Sequence, residues 1–170
     1  MYDVLVLVED ELSEADAGRL AELYRGTADP VRFHVVIPCE DAEAQIEASL
    51  AGMAGTEPFG TVGPRYMPQE DDEIHHAADE AQRAVDAAAT AAMERSVERL
   101  RSLDREAEGI ITRRPPVDEL VDRIRRVHGQ EVVILTRSHV VAQLLHVDWS
   151  AQARRHLGVP VLHLLEYGDD

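Results

Sequence analysis

The sequence contains no lysine, because all 17 basic residues are arginine. A Walker-type phosphate loop and a pyridoxal Schiff base both require a lysine side chain, so two large groups of enzymes are excluded. A Gly-x-Ser-x-Gly motif and a recognisable cysteine–histidine pairing are missing as well. The sequence therefore favours a protein that is not an enzyme.

Cysteine and aromatic residues are also scarce. The one cysteine, Cys39, excludes an internal disulfide and a zinc site built on several cysteines, and we interpret it as a small buried residue at a strand end. Aromatic residues make up 4% of the chain and hydrophobic residues 45%, which predicts a core of aliphatic side chains. A length of 170 residues suits a single domain over residues 1–170.

Positive charge is outweighed by negative charge. The 17 arginines face 33 acidic residues, so the net charge is −16 with neutral histidines. Nucleic acids and anionic lipids are bound mainly through basic side chains, so we predict neither nucleic acid nor membrane as a partner. A signal-peptide pattern and a long apolar run are both missing. We therefore expect a cytoplasmic protein.

Apolar segments and turn residues alternate in a pattern that predicts an α/β fold. The predicted strands are residues 3–8, 32–37, 109–112, 131–136 and 159–165. The predicted helices are residues 13–25 and 71–104, a segment that starts at Pro115 and ends before Gly129, and a segment capped by Asp148 or Ser150 that runs to His156. Short links between such elements imply right-handed crossovers. The prediction is a three-layer α/β/α sandwich around a five-stranded parallel sheet.

An insertion interrupts this alternation after the second strand, at about residues 40–70. Its first part, Glu40 to Met53, is predicted to be a helix. Its second part, Gly55 to Pro68, contains three glycines and three prolines, which favour a long loop without regular structure.

The loop after the fourth predicted strand is unusual because it lacks glycine. No glycine occurs between Gly129 and Gly158. Nucleotide-binding α/β folds place glycines after such a strand, because only a residue without Cβ lets the backbone approach phosphate closely. The predicted scaffold is thus typical of a nucleotide-binding protein, but its phosphate-binding loop is not.

The order of these features resembles the universal stress protein family. The matching features are the aliphatic strand Val4 to Val8 followed by Glu9, the proline-started helix after strand three, Ser138-His139 after strand four, and the closing segment Gly158 to Leu165. The resemblance covers the chain except the insertion and implies the Rossmann-like sandwich predicted above. It also implies a protein of the stress response, and the family divides into members that bind ATP and members that do not.

The resemblance implies an altered nucleotide crevice. In the ATP-binding members, spaced glycines hold the ribose and phosphates, and side chains stand at all of those positions here. Glu9 stands where the family has an aspartate near the adenine. The positions of the implied crevice are Glu9, Val36, Arg137, Ser138, His139, Val140 and Ser150. The expectation is that the protein does not bind ATP in the usual way and needs no cofactor, with ATP and Mg²⁺ as the alternative.

A metal site is the alternative interpretation of one helical segment. Glu73, His76 and Glu80 lie three and four residues apart, so they share a helix face, and carboxylate with imidazole suits Zn, Mn or Fe. Carboxylate-bridged metal bundles need at least two such Glu-x-x-His motifs, however, and this segment has one. We therefore predict no metal and interpret the segment as a solvated, acidic helix start.

Three hypotheses for the function follow. The first is a non-enzymatic module resembling the universal stress proteins, a homodimer through its C-terminal strand, that binds an unknown protein or a small ligand. The second is a binder of adenine nucleotide in a rebuilt phosphate site, in which Arg137, His139 or the loop Gly55 to Pro68 replaces the glycines. The third, a nucleotide-dependent hydrolase or transferase, has no catalytic residues that we can name in the sequence.

Overall fold

The structure is a computed structural model that describes residues 1–39, 70–136 and 154–167, with backbone only at residues 70–74 and 136. Its elements are β1 (Tyr2–Val8), α1 (Glu14–Leu23), β2 (Val31–Pro38), α2 (Glu70–Ser102), β3 (Glu106–Thr112), α3 (Pro116–Val127), β4 (Glu131–Thr136) and β5 (Val161–Leu165). Residues 154–157 are also helical. The predicted alternation of strands and helices is confirmed.

The five strands form one parallel sheet in the order β3-β2-β1-β4-β5. The chain adds strands on one side of β1 and then crosses to its other side, so the strand order reverses between β1 and β4. In open parallel sheets the carboxyl ends of the strands at such a reversal are the usual place for a ligand. The topology therefore directs attention to the residues that follow β1 and β4.

The two faces of the sheet carry separate hydrophobic clusters, as alternation along a strand requires. On the face that α1 and α2 cover, Val4 and Val6 of β1 pack with Leu20 of α1 and Leu100 of α2. On the other face, which we call the α3 face, Leu5 of β1 packs in a cluster with residues of α3 and β4. These two clusters establish the predicted three-layer sandwich, and their side chains are mainly aliphatic.

The structure divides the chain into two compact units. One comprises Met1–Pro38 with Ala89–Asp170, and the other comprises Cys39–Ala88. Within the second unit, Cys39 is buried and its thiol donates to Asp86 Oδ1 at 3.1 Å. The predicted helix Glu40 to Met53 and the loop Gly55 to Pro68 lie outside the described residues.

Strand β3 begins earlier than the sequence predicts, at Glu106 instead of Gly109. The first four residues of β3 alternate acidic and small side chains, a pattern that is typical of a polar loop. In the sheet, Glu106 pairs in register with Arg32 and Glu108 with His34, so both acids have basic partners on β2. Cross-strand pairing of this kind cannot be seen in a local sequence pattern.

Gly109 allows α2 to lie close to β3. A Cβ atom at this position would come within 2.5 Å of Met93 Sδ and 2.9 Å of Val97 Cγ2, both on α2. Only a residue without a side chain leaves room for that approach.

Helix α3 ends in a left-handed residue. His128 has φ 55°, and the N–H groups of His128 and Gly129 both donate to the carbonyl of Ile124. This arrangement terminates a helix and satisfies its last carbonyl groups, and it usually employs glycine at the left-handed position.

Within the described residues, none of the helices has the length and apolarity that a membrane crossing requires.

Candidate functional site

Glu9 follows β1 directly, at the carboxyl ends of the strands where the strand order reverses. Glu9 is half-buried, and its Oε1 atom is enclosed with no hydrogen-bond partner among the residues that the structure describes. A carboxylate oxygen accepts hydrogen bonds only, and an enclosed acceptor without a donor is unfavourable. Glu9 therefore presents an unused acceptor at the position where this fold holds ligands.

Glu11, two residues after Glu9, is neutralised by α2. Its carboxylate forms ion pairs with Arg95, at 2.6 Å, and with Arg99. Burial alone would raise the pKa of Glu11, but the hydrogen bonds and charges of these two arginines outweigh it and hold the pKa below its ordinary value. The charge of Glu11 is thus compensated by its neighbours.

The loop between β1 and α1 is fastened to α2 by hydrogen bonds. The backbone N–H of Leu12 donates to Ser96 Oγ at 2.9 Å, and Arg99 Nη1 donates to the carbonyl of Leu12 at 2.7 Å. Ser96 itself is fully buried and donates to the carbonyl of Ala92. These contacts attach the loop that follows Glu9 to α2.

Ser13 ends this loop by capping α1, as the sequence predicts. Its hydroxyl accepts from the N–H of Asp16 at 3.1 Å and donates to the carboxylate of Asp16 at 2.7 Å. Asp16 is buried, and its carboxylate also accepts from the backbone N–H of Tyr167, at 3.3 Å. The helix cap therefore holds the segment beyond β5 as well.

The other predicted crevice residues are placed as follows. Val36 lies fully buried in the cluster on the α3 face, in register with Leu7 and Ile110, so its side chain belongs to the core beneath the strand ends. The remaining five lie outside the described residues: Arg137, Ser138, His139, Val140 and Ser150.

The predicted acidic helix start contains exposed His76 and Glu80, and at Glu73 only the backbone is described. Among the side chains that the structure describes, no three histidine, cysteine, aspartate or glutamate groups are arranged to hold a metal ion.

A surface cavity of about 500 Å³ lies at the opposite edge of the sheet, where β2 and β3 begin. Three arginines and three acidic residues line it, among them Arg32, Arg105 and Glu106. Opposite charges in equal number give such a cavity little net attraction for an anion or a cation. The cavity is therefore a weaker candidate than the crevice beside Glu9.

The residues of α2 that anchor the loop after β1 are not predictable from the sequence. The sequence indicates only that Arg95 and Arg99, four residues apart on a helix, share a face, and that Ser96 lies next to Arg95. Which loop that face meets depends on tertiary packing and cannot be read from the helix alone.

Comparison with known proteins supports the fold. No protein-family profile matches the sequence, and no curated protein sequence matches it. A universal stress protein from Archaeoglobus fulgidus is similar in structure over 96% of this chain and 93% of that chain, with a TM-score of 0.51 and 18% sequence identity. A universal stress protein family protein from Arabidopsis thaliana, with AMP bound, is similar over 100% of this chain and 95% of that chain, with a TM-score of 0.53 and 13% identity. The chain has the fold of the universal stress proteins.

Proposed function

We propose that the protein is a non-enzymatic binding module with the universal stress protein fold, which takes up a small ligand in the crevice beside Glu9 and acts as a homodimer toward a partner. The single observation that carries the ligand proposal is the enclosed Oε1 atom of Glu9, to which no group in residues 1–39, 75–135 or 154–167 donates a hydrogen bond. A ligand that donates an N–H or O–H group would satisfy this acceptor and remove the cost of leaving it unpaired.

The charges near this acceptor favour a ligand without a triphosphate. Glu9, Asp10 and Glu11 follow one another in the sequence, and the Glu11 carboxylate pairs with Arg95 and Arg99. A triphosphate brought close to Glu9 would meet like charge. The sequence between Gly129 and Gly158 contains no glycine, the residue on which a backbone cradle for phosphate usually depends. The proposed ligand is therefore neutral or weakly anionic and carries a hydrogen-bond donor.

The alternative function is binding of an adenine nucleotide in a rebuilt phosphate site. The Arabidopsis thaliana protein of the same fold has AMP bound, which favours a monophosphate over ATP. In this alternative Arg137 or His139 would replace the glycines as phosphate ligands, because a guanidinium or imidazolium group binds phosphate oxygens well.

Thermal denaturation with adenosine, AMP and ATP, each with and without Mg²⁺, tests the proposal. Adenosine carries a neutral donor group, and the other two add one or three phosphates to it. We expect adenosine to raise the melting temperature and millimolar ATP to leave it unchanged. A ligand at about 100 times its Kd adds about 2.7 kcal/mol to the free energy of unfolding, which a melting curve resolves easily.

Glu9→Gln should weaken the shift produced by adenosine, because it replaces one of the two accepting carboxylate oxygens by an amide nitrogen and removes the charge. Glu14→Gln is the matched control, since Glu14 is exposed in the first turn of α1. A shift that grows from adenosine to AMP to ATP would overturn the proposal in favour of the rebuilt phosphate site. If none of the three shifts the curve, the small-ligand part fails and partner binding alone is left.

The homodimer proposal rests on β5, which is an edge strand of the sheet. Leu165 and Tyr167 at its end are 48% and 63% exposed. An exposed apolar strand edge is a hazard for aggregation unless another chain covers it, and pairing with a second copy about a two-fold axis is a common solution. We infer that β5 pairs with β5 of a second copy.

A further inference from the structure

His34 on β2 is the most enclosed ionisable side chain of the α3 face. It is 1% exposed, and each of its ring nitrogens faces a carboxylate oxygen. Nε2 lies 2.8 Å from Asp3 Oδ1, and Nδ1 lies 2.8 Å from Glu108 Oε1. Asp3 belongs to β1 and Glu108 to β3, so one imidazole ring connects three neighbouring strands.

The number of donors required determines the charge of this ring. An ionised carboxylate accepts hydrogen bonds and cannot donate, so both ring nitrogens must carry a hydrogen for both contacts to form. A neutral imidazole has one N–H group, and its other nitrogen would direct a lone pair at a carboxylate oxygen. The geometry is therefore that of an imidazolium cation between two anions.

The surrounding charges fit this assignment. Arg123 of α3 donates to Glu108 Oε1 at 2.6 Å, Arg32 of β2 lies 4.0 Å from Asp3 Oδ1, and the same Arg32 pairs with Glu106 of β3 at 3.0 Å. With His34 protonated, three cations balance three anions: Arg32, His34 and Arg123 against Asp3, Glu106 and Glu108. Without that proton the largely buried carboxylate of Asp3 would lose its nearest cation, which is costly in a poorly solvated site.

The carboxyl group of Glu108 responds to these neighbours. Burial alone would raise its pKa, but the hydrogen bonds and charges of His34 and Arg123 outweigh burial and hold the pKa below its ordinary value. The ionised form of Glu108 is thus the one that the folded protein stabilises.

We propose that Asp3, His34 and Glu108 form a proton-dependent latch that fastens the edge strand β3, and with it α3 through Arg123, to the centre of the sheet. The latch requires a protonated ring and two ionised carboxylates at the same time. As pH rises and the ring loses its proton, one of the two hydrogen bonds is lost and like charges remain.

The latch also opens at low pH, where the carboxylates gain protons. Because the pKa of Glu108 is lowered on folding, its contribution to stability is present above its ordinary pKa in the unfolded chain and is lost as pH falls through the lower value in the folded protein. The latch is therefore closed in a window between protonation of the carboxylates and deprotonation of the ring, and opens on either side.

The direct test is ¹⁵N NMR of the His34 ring combined with urea unfolding of the full chain. The ring nitrogen shifts report whether both nitrogens carry a hydrogen. Unfolding is compared for the protein and His34→Gln from about pH 5 to about pH 8, the range in which imidazole ordinarily changes charge. We expect a doubly protonated ring in the folded protein. We also expect the unfolding constant of His34→Gln, divided by that of the unsubstituted protein, to be roughly tenfold smaller at the upper end of the pH range than at the lower end.

Glu108→Gln is the second variant and keeps the test valid if His34→Gln does not fold. The Glu108 side chain is 48% exposed, so the substitution leaves the core unchanged while it removes one of the two anions. We expect it to weaken the pH dependence across this range, because one of the two anions that face the ring is removed. Arg125→Gln, on the exposed side of α3, is the control and should leave the pH dependence as it is. A ring with one unprotonated nitrogen throughout, or equal pH dependence in all variants, would overturn the proposal.

Discussion

At the scale of single residues, a glycine in the sheet and a glycine in α1 differ in how much space surrounds them. Gly109 sits where α2 comes closest to β3, and an added Cβ would meet Met93 and Val97. Gly18, within α1, would have nothing within 4 Å of an added Cβ. The same chemical change therefore has opposite expected effects at the two positions.

Gly109→Ala should lower the free energy of unfolding by about 1–3 kcal/mol, because α2 must shift or Met93 must leave its position. Gly18→Ala is the matched control and should raise it by about 0.5–1 kcal/mol, since alanine favours a helix over glycine. Urea denaturation of both variants measures the difference. Equal changes of the same sign would show that α2 does not pack on β3 as described.

Residue roles that depend on local spacing were predictable, and roles that depend on distant partners were not. Ser13 was predicted as a helix cap because its acceptor lies near N–H groups three residues on, and the structure confirms it. The sequence predicts His34 only as part of a strand, because its partners Asp3 and Glu108 lie 31 and 74 residues away in the chain. Such a cluster becomes visible only when strand order and register are known.

At the scale of elements, α3 shows how an end is defined. It begins at two prolines, where the first N–H groups have no helical partner to lose, and ends at the left-handed residue His128. A side chain in this conformation is strained by its Cβ, and glycine relieves that strain.

His128→Gly should therefore raise the free energy of unfolding by about 0.5–1 kcal/mol, the relief of strain being partly offset by the greater freedom of glycine in the unfolded chain. The control is Arg125→Gly in the last turn of the same helix, which should lower it by about 0.5–1 kcal/mol. Chemical denaturation at one pH compares the two. Loss of stability in both variants would contradict a left-handed helix end at His128.

Element boundaries were predicted less well than element types. Helix α2 and strand β4 lie close to their predicted ranges because apolar periodicity and flanking turns define them. Strand β3 was predicted too short because Glu106 and Glu108 look solvated until Arg32 and His34 are placed beside them. Strand β5 begins two residues later than predicted, and Pro160 precedes it, with its carbonyl accepting from Val132.

At the scale of the whole molecule, the edge strand β5 determines how copies of the chain would meet. Its end is held to α1 by two contacts, from Arg19 Nη1 to the carbonyl of Leu165 at 3.1 Å and from the Tyr167 N–H to Asp16. Leu165 and Leu23 are exposed to almost the same degree, 48% and 50%, but only Leu165 lies on the proposed interface.

Light scattering coupled to size exclusion tests the homodimer. We expect a mass twice that of the 18.9 kDa chain, and a weaker dimer for Leu165→Glu, with Kd increased about tenfold or more because a charge is placed in an apolar contact. Leu23→Glu makes the same change at an equally exposed site away from β5 and should leave the mass unchanged. A monomer at every concentration would refute the dimer.

The fold of the whole molecule was predictable from sequence, whereas the crevice was predictable only in part. Alternating apolar strands and helices with short links leave few arrangements of a parallel sheet, and the structure has the predicted three layers. Glu9 was placed by its position after β1, but its unused acceptor depends on what surrounds it. Arg137, Ser138, His139, Val140 and Ser150 stay predictions.

The position of β1 in the middle of the sheet also affects how the chain acquires its structure. On one side Val4 pairs with Phe33 of β2, which is separated from β1 by a single helix. On the other side it pairs with Glu131 of β4, which is far away in the sequence. Pairs that are so far apart in sequence form slowly, because a long loop must close first. Until β4 pairs with it, this edge of β1 has unpaired backbone N–H and C=O groups, and such an edge favours pairing with other chains and hence aggregation.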